Sequence, residues 1–127
     1  MREILFRGKS IGDGQWQYGD LLNVGVDYDY AIRTYGGREH GQVNAVNGNT
    51  VGQYTGLTDK NGKKIFEGDI VRLYLVDGCE EGVIKFNGIM CRFMFFTKEG
   101  SYSFDKDCVF EIIGNIHDNP ELLKGGE

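Results

Sequence analysis

Apolar and polar residues alternate in short runs separated by glycine, asparagine and aspartate, the pattern of strands joined by tight turns. In the C-terminal half, Ile70 to Val76, Gly82 to Phe86, Ile89 to Thr97, Ser101 to Phe104 and Phe110 to Ile116 read as five strands. Their turns fall at Asp77-Gly78 with a loop through Glu81, at Asn87-Gly88 and at Glu99-Gly100. Five closely connected strands over about fifty residues predict a small SH3-like barrel. Upstream, Val51 to Val71 supplies a strand (Thr50 to Thr55), a turn over Asp59 to Lys63 containing Asn61-Gly62, and a return over Lys64 to Phe66. Asn-Gly suits the positive φ that both central residues of a type I′ turn require. Before this stretch the pattern is looser. Ile4 to Phe6 and Gln15 to Leu22 read as a first hairpin weakened by Gly19, and Val43 to Val46 as a brief strand. Asn23 to Tyr35, with Val24, Val26, Tyr28 and Tyr30 on one parity, reads as a half-buried strand, and 36–42 as a flexible loop. Asn119-Pro120 followed by Glu121, Leu122 and Leu123 predicts a helix of one or two turns.

The fold expected is therefore all-β: an N-terminal β portion over 1–50, an SH3-like barrel unit over 51–127 packed against it, and a short C-terminal helix. A two-residue turn at Asn87-Gly88 would set Phe86 opposite Ile89, Lys85 opposite Met90 and Ile84 opposite Cys91. One face then carries Ile84, Phe86, Ile89, Cys91, Phe93 and Phe95, and the other Val83, Lys85, Met90, Arg92, Met94 and Phe96. On the preceding strand Val71, Leu73 and Leu75 share one face, and Ile70, Arg72, Tyr74 and Val76 the other. Both faces hold apolar residues. Leaving such area in water costs ~25 cal/mol per Å², so the outward face is expected to be covered by the N-terminal half or by another molecule. Tyr74, Met90, Arg92, Met94 and Phe96 are the candidate interface residues.

At 127 residues the chain is long enough for one domain with a real core, and 20 glycines against one proline fit many tight turns. The formal charge of −5 opposes a phosphate backbone, so nucleic-acid binding is disfavoured unless a local basic patch overcomes that field. Three cysteines, Cys79, Cys91 and Cys108, form no C-x-x-C pair and suit a reducing compartment. No signal peptide or membrane-length apolar run is present, so a cytoplasmic protein without membrane contact is expected.

Catalytic motifs are missing. Gly36 to Gly41 is followed by Gln42 and Val43 where a P-loop needs Lys and Ser or Thr, and Gly56 to Gly62 has one residue too many. Asp59-Lys60-Asn61-Gly62 brings glycine at the fourth position, whereas a calcium-binding EF-hand loop needs it at the sixth. Two histidines, His40 and His117, leave no multi-histidine metal site within one chain. Paired carboxylates (Asp27 and Asp29, Glu80 and Glu81) read as solvated neighbours, and no nucleophile elbow surrounds Ser10, Ser101 or Ser103. No catalytic residue, metal or cofactor is expected; a hydrolase using Asp69, His117 and Asp118 would need those groups to converge. Lys60, Lys63 and Lys64 ring one hairpin tip near Gln53, Tyr54 and Thr55, an arrangement able to touch phosphate or stack on a base.

The run V-G-Q-Y-T-G-L-T-D-K-N-G-K-K-I-F-E-G-D-I-V resembles the signature of the YopX family of small phage and prophage proteins. The opening M-R-E-I-L-F-R-G-K, the later W-Q-Y-G-D-L-L and the ending F-E-I-I-G-N-I-H-D-N-P-E-L-L look like the same family's termini. Gly48-Asn49 stands where the family commonly has Pro-Glu. The resemblance implies an SH3-type barrel with an N-terminal β portion, encoded by phage or prophage and without assigned activity or cofactor. The function expected is a non-enzymatic interaction module. Its partner would be a second copy or a host or phage protein, with nucleic-acid binding at the lysine hairpin as the alternative and a small hydrolase as a third.

Overall fold

Short alternating runs become eleven strands among residues 3–25, 29–34, 41–104 and 107–124, which the computed structural model describes. Two units divide the chain, Met1–Tyr54 and Thr55–Glu127, a few residues beyond the expected boundary at 50/51.

In the first unit, β1 (Phe6–Lys9), β2 (Trp16–Asn23), β3 (Tyr30–Arg33) and β4 (Val43–Val46) pair as successive antiparallel neighbours. Ala31, Ile32 and Val46 are buried. Gly19 does not merely weaken β2: a Cβ there would stand 1.9 Å from the Arg33 carbonyl oxygen, so the close approach of β3 requires glycine. Arg7 is buried with its guanidinium 4.6 Å over the Trp16 ring, a cation–π contact inside the unit. The single strand expected over Asn23 to Tyr35 is interrupted. β2 ends at Asn23, Val24 donates its amide to the Asp29 carbonyl at 2.9 Å, and β3 starts at Tyr30. Gly25 at φ 69° opens that turn, and a left-handed residue cannot continue a strand. Val26 and Tyr28, and most of the loop expected over 36–42, lie outside the described residues.

A 3₁₀ turn over Gly48–Thr50, capped by Asn47, leads into β5 (Gly52–Thr58). β5 crosses the unit boundary. Gly52 and Gln53 pair with Arg7 and Phe6 of β1, and the later residues pair with β6 (Lys64–Phe66).

The second unit continues with β7 (Asp69–Leu75), β8 (Gly78–Asn87), β9 (Arg92–Thr97), β10 (Gly100–Ser103) and β11 (Val109–Asn115). These form one five-stranded sheet in the order β10-β9-β8-β7-β11. Among the described residues no ladder joins β10 to β11, so both are edges. Ile65, Val71, Ile84, Phe95 and Phe110 form the buried cluster, with Leu73, Phe104, Cys108 and Ile112 packed against it. The Phe110 ring lies 5.5 Å from Phe95 and 5.4 Å edge-on from Phe104, distances at which aromatic pairs attract beyond their area. The last described element is α1 (Glu121–Lys124), with Leu122 and Leu123 donating to the Asn119 and Pro120 carbonyls, as the Asn-Pro signal predicts.

Two turns differ from expectation. The β7–β8 turn is Val76-Asp77, so Cys79 to Glu81 belong to β8 and not to a loop. The β8–β9 loop holds four residues, 88–91, and pairs Phe86 with Phe93, Lys85 with Met94 and Ile84 with Phe95. Asn87 closes it with its side chain, the Oδ1 accepting the amides of Ile89 at 2.9 Å and Met90 at 3.1 Å. Side-chain capping by asparagine displaces the turn it would otherwise occupy.

Candidate functional site

The β5–β6 hairpin carries the lysines of the nucleic-acid alternative, and its tip is anchored by one carboxylate. Asp59 is buried, and its Oδ1 accepts the amides of Asn61 and Lys63, both at 2.9 Å, while its Oδ2 accepts the amide of Ile112 on β11 at 3.1 Å. The next residue adds a second tie, Lys60 N–H donating to the Phe110 carbonyl at 2.8 Å. Burial works against the charged carboxylate, but the three backbone amides and the nearby Lys63 ammonium outweigh it and hold Asp59 below its ordinary pKa. Gly62, at φ 83°, completes the turn.

The β6–β7 turn is built similarly. Asp69 is 2% exposed, and its Oδ2 accepts the Phe66 amide at 2.7 Å. Gly68 at φ 89° donates its N–H to Ile84 at 2.8 Å and accepts from Ile116 at 2.9 Å, so this turn links β8 to the C-terminal segment. The Asp, Asn-Gly and Gly-Asp of the central run thus have structural duties.

Of the candidate binding residues, Gln53 and Tyr54 fall in the first unit, and Thr55, Lys60, Lys63 and Lys64 in the second. Gln53 is half-buried opposite Phe6, and Tyr54 is buried with its amide on the Leu5 carbonyl at 2.8 Å. Thr55 Oγ1 donates to the Ile65 carbonyl at 2.9 Å and accepts from Leu57 at 3.2 Å. These three serve strand packing and pairing. Lys63 and Lys64 are exposed at the tip. Lys60 instead turns to the sheet, its Nζ 3.9 Å from Glu111 and 4.7 Å over the Tyr74 ring.

Glu111 is the hub of a surface network the sequence did not reveal. Its Oε1 accepts from the Tyr74 hydroxyl at 2.7 Å and lies 3.8 Å from Arg72. Arg72 also donates from Nε at 3.0 Å and Nη2 at 2.7 Å to Glu81, a contact that raises the guanidinium pKa. The signal lies in cross-strand pairing: Arg72 is the register partner of both Glu81 and Glu111. Tyr74, one of five candidate interface residues, is therefore engaged by polar neighbours.

The other four separate. Met94 is 6% exposed and Phe96 half-buried, with Lys85 Nζ 5.9 Å over the Phe96 ring. Arg92 is exposed at the start of β9, and Met90, 50% exposed, lies in the four-residue loop beside Ile89, 92% exposed. Phe86 precedes that loop, half-exposed, with its ring edge-on to Phe93 at 5.4 Å. Phe86, Ile89 and Met90 thus group exposed apolar side chains at the loop end of the β8–β9 hairpin, while Leu75 and Val76 at the β7–β8 turn, Tyr102 on β10 and Val109 on β11 are exposed elsewhere on this unit.

Asp69 pairs in register with Asn115, two positions before His117. Asn115 Oδ1 accepts the amides of His117 and Asp118, and Asn115 Nδ2 donates to Asp118 Oδ2 at 3.0 Å. Asp69 and Asp118 each hold a turn. Among the described residues no group of three or more His, Cys, Asp or Glu side chains is placed to hold a metal ion; His40 lies outside those residues. Nor is any helix among them long and apolar enough to cross a membrane.

The family model described as YopX protein matches residues 5–124. A crystal structure of protein EF1440 from Enterococcus faecalis is similar to this chain, with 25% sequence identity and a TM-score of 0.60. The match covers 97% of this chain and 99% of that one. No curated protein matches. With nearly all its length matched, including the hairpin tied by Asp59 and the following turn held by Asp69, this chain belongs to the YopX family.

Proposed function

We propose that this protein is a non-enzymatic association module that binds a second copy of itself, made from a phage or prophage genome in the bacterial cytoplasm. The observation that carries the reading is a contrast within the second unit. The carboxylates Asp59 and Asp69 are buried in turn formation, while large apolar side chains remain open to water: Phe86 at 49%, Ile89 at 92%, Met90 at 50% and Tyr102 at 44% exposure. Exposed apolar side chains such as these favour a protein partner over a phosphate backbone, which the net charge of −5 also opposes. Lys60, drawn to Glu111, weakens the basic tip on which the nucleic-acid alternative depends.

Light scattering over rising protein concentration tests this. A mass that grows from one chain towards two supports self-association; a single-chain mass at every concentration up to about millimolar, far above the Kd of specific homodimers, overturns it.

A further inference from the structure

We infer that β10 is the edge along which the second copy docks, as a two-fold antiparallel strand pairing centred on Tyr102; this rests on the self-association proposed above. The two edges of the five-stranded sheet are treated differently. On β11, the Ile112 amide is held by Asp59 at 3.1 Å, and the Phe110 carbonyl is taken by the Lys60 amide at 2.8 Å. That edge also carries Glu111 and a register irregularity between Ile112 and Gly114. Covering, charge and irregular register are three of the devices by which proteins stop edges from recruiting further strands.

β10 has none of them. Gly100, Ser101, Tyr102 and Ser103 are all exposed, uncharged and free of proline, and pair with Thr97, Phe96, Phe95 and Met94 in unbroken register. Among the described residues no strand lies beyond it. The Lys98-Glu99 turn closes Gly100 against Thr97. In a two-residue hairpin the closing pair is hydrogen-bonded, so Gly100 and Tyr102 direct their backbone groups to β9, and Ser101 and Ser103 direct theirs outward.

The outward pair is self-complementary. A two-fold axis at Tyr102 sets Ser101 against Ser103 of the second copy and Ser103 against its Ser101. Each pairing exchanges N–H and C=O in both directions, so the outward groups of both serines are satisfied on both chains. Tyr102 then meets its own symmetry mate at the non-hydrogen-bonded position, where opposed Cα atoms come to about 4.5 Å and side chains lie closest. Its ring, 44% exposed in the single chain, would lose water there. An isologous contact of this kind uses only residues already present.

Ser103→Pro tests the edge. It deletes an outward N–H without removing a bond to β9, and proline is tolerated where a strand's amide faces solvent. Sedimentation velocity across a concentration series is expected to show the wild-type dimer weakened roughly tenfold or more in Ser103→Pro, with an unchanged far-ultraviolet spectrum. Tyr102→Lys, which sets like charges opposite each other at the axis, is the second variant should proline disturb folding, and is expected to weaken the dimer similarly. In the wild type, hydrogen exchange at the Ser101 and Ser103 amides should slow with concentration, while that of Gly100 and Tyr102 should not change. A dimer that survives both substitutions but is lost on Ile89→Glu overturns the edge assignment and leaves self-association standing. A wild type that stays a single chain overturns both. Capture of a different extended peptide by the same edge, without dimerisation, also overturns it.

Discussion

Asp59 accepts the backbone amide of Ile112, fifty-three positions further along the chain, at 3.1 Å. A carboxylate in a hairpin tip thereby fixes the position of a strand that forms only near the end of the sequence. Three amides depend on that one side chain. Asp59→Ala leaves them without this acceptor in a buried setting and is expected to cost about 2–4 kcal/mol in urea unfolding. Asp59→Asn keeps one acceptor oxygen and should cost less, about 1–2 kcal/mol.

The same contact sets a pH dependence. Because the folded state holds Asp59 below its ordinary value of 3.8, the unfolded chain binds the proton more readily. The resulting stabilisation is fully present above the unfolded pKa and is lost as pH falls through 3.8 towards the depressed folded value. The stability difference between wild type and Asp59→Asn should therefore be flat from neutral pH down to about pH 5 and narrow below it. A difference that stays constant down to pH 2 would show that the carboxylate charge has no part in the tie.

Strand faces were legible from the sequence, while register was not. The loop expected after Phe86 held two residues and the observed one holds four, yet Ile84, Phe86, Phe93 and Phe95 still share a face. Pairing sums shift by an even number, and with a side-chain period of two every residue keeps its side. What moved was Ile89, Met90 and Cys91, from paired strand positions to an exposed loop. Asn87 explains the shift, since its side chain caps the loop from the last strand position. The Asp59 to Ile112 tie was not legible, because nothing local to Asp59 names a partner on β11. Its turn-forming role was legible from Asp59 to Gly62 alone. The contrast between the covered and the open edge of the sheet depends on strand order, which alternation does not specify.

Cys91 is the only described non-glycine residue with positive φ, at 56°, and its thiol makes only a 3.5 Å contact with the Gly88 carbonyl. Left-handed backbone costs an L-residue roughly 1 kcal/mol, and glycine escapes the cost. Cys91→Gly is expected to stabilise the fold by about 0.5–1 kcal/mol despite glycine's freer unfolded chain, and Cys91→Val to destabilise it by a similar amount or more. Thermal melts of the two variants should move in opposite directions.

Gly68 combines φ 89° with hydrogen bonds at both its amide and its carbonyl. An added Cβ at that φ is strained, and relaxing the backbone would break the links to Ile84 and Ile116. Gly68→Ala is expected to cost about 1–3 kcal/mol by chemical denaturation. Gly62→Ala, at φ 83° on an exposed turn, should cost less, near 1 kcal/mol.

Met94 and Met90 lie only four positions apart but answer different questions. Met94 is 6% exposed, so Met94→Glu places a carboxylate where water does not reach it. Destabilisation of about 3 kcal/mol or more is expected, and any loss of association in that variant would follow from unfolding. Met90 is 50% exposed on the loop, and Met90→Glu should change unfolding free energy by no more than about 0.5 kcal/mol. If the dimer forms along β10, Met90→Glu also leaves it nearly intact, because residue 90 lies outside the strand. If instead the loop end is the contact, Met90→Glu should dissociate a fully folded protein. Denaturant curves read beside sedimentation data for the two variants separate these cases, since only a change in mass at unchanged stability reports an interface.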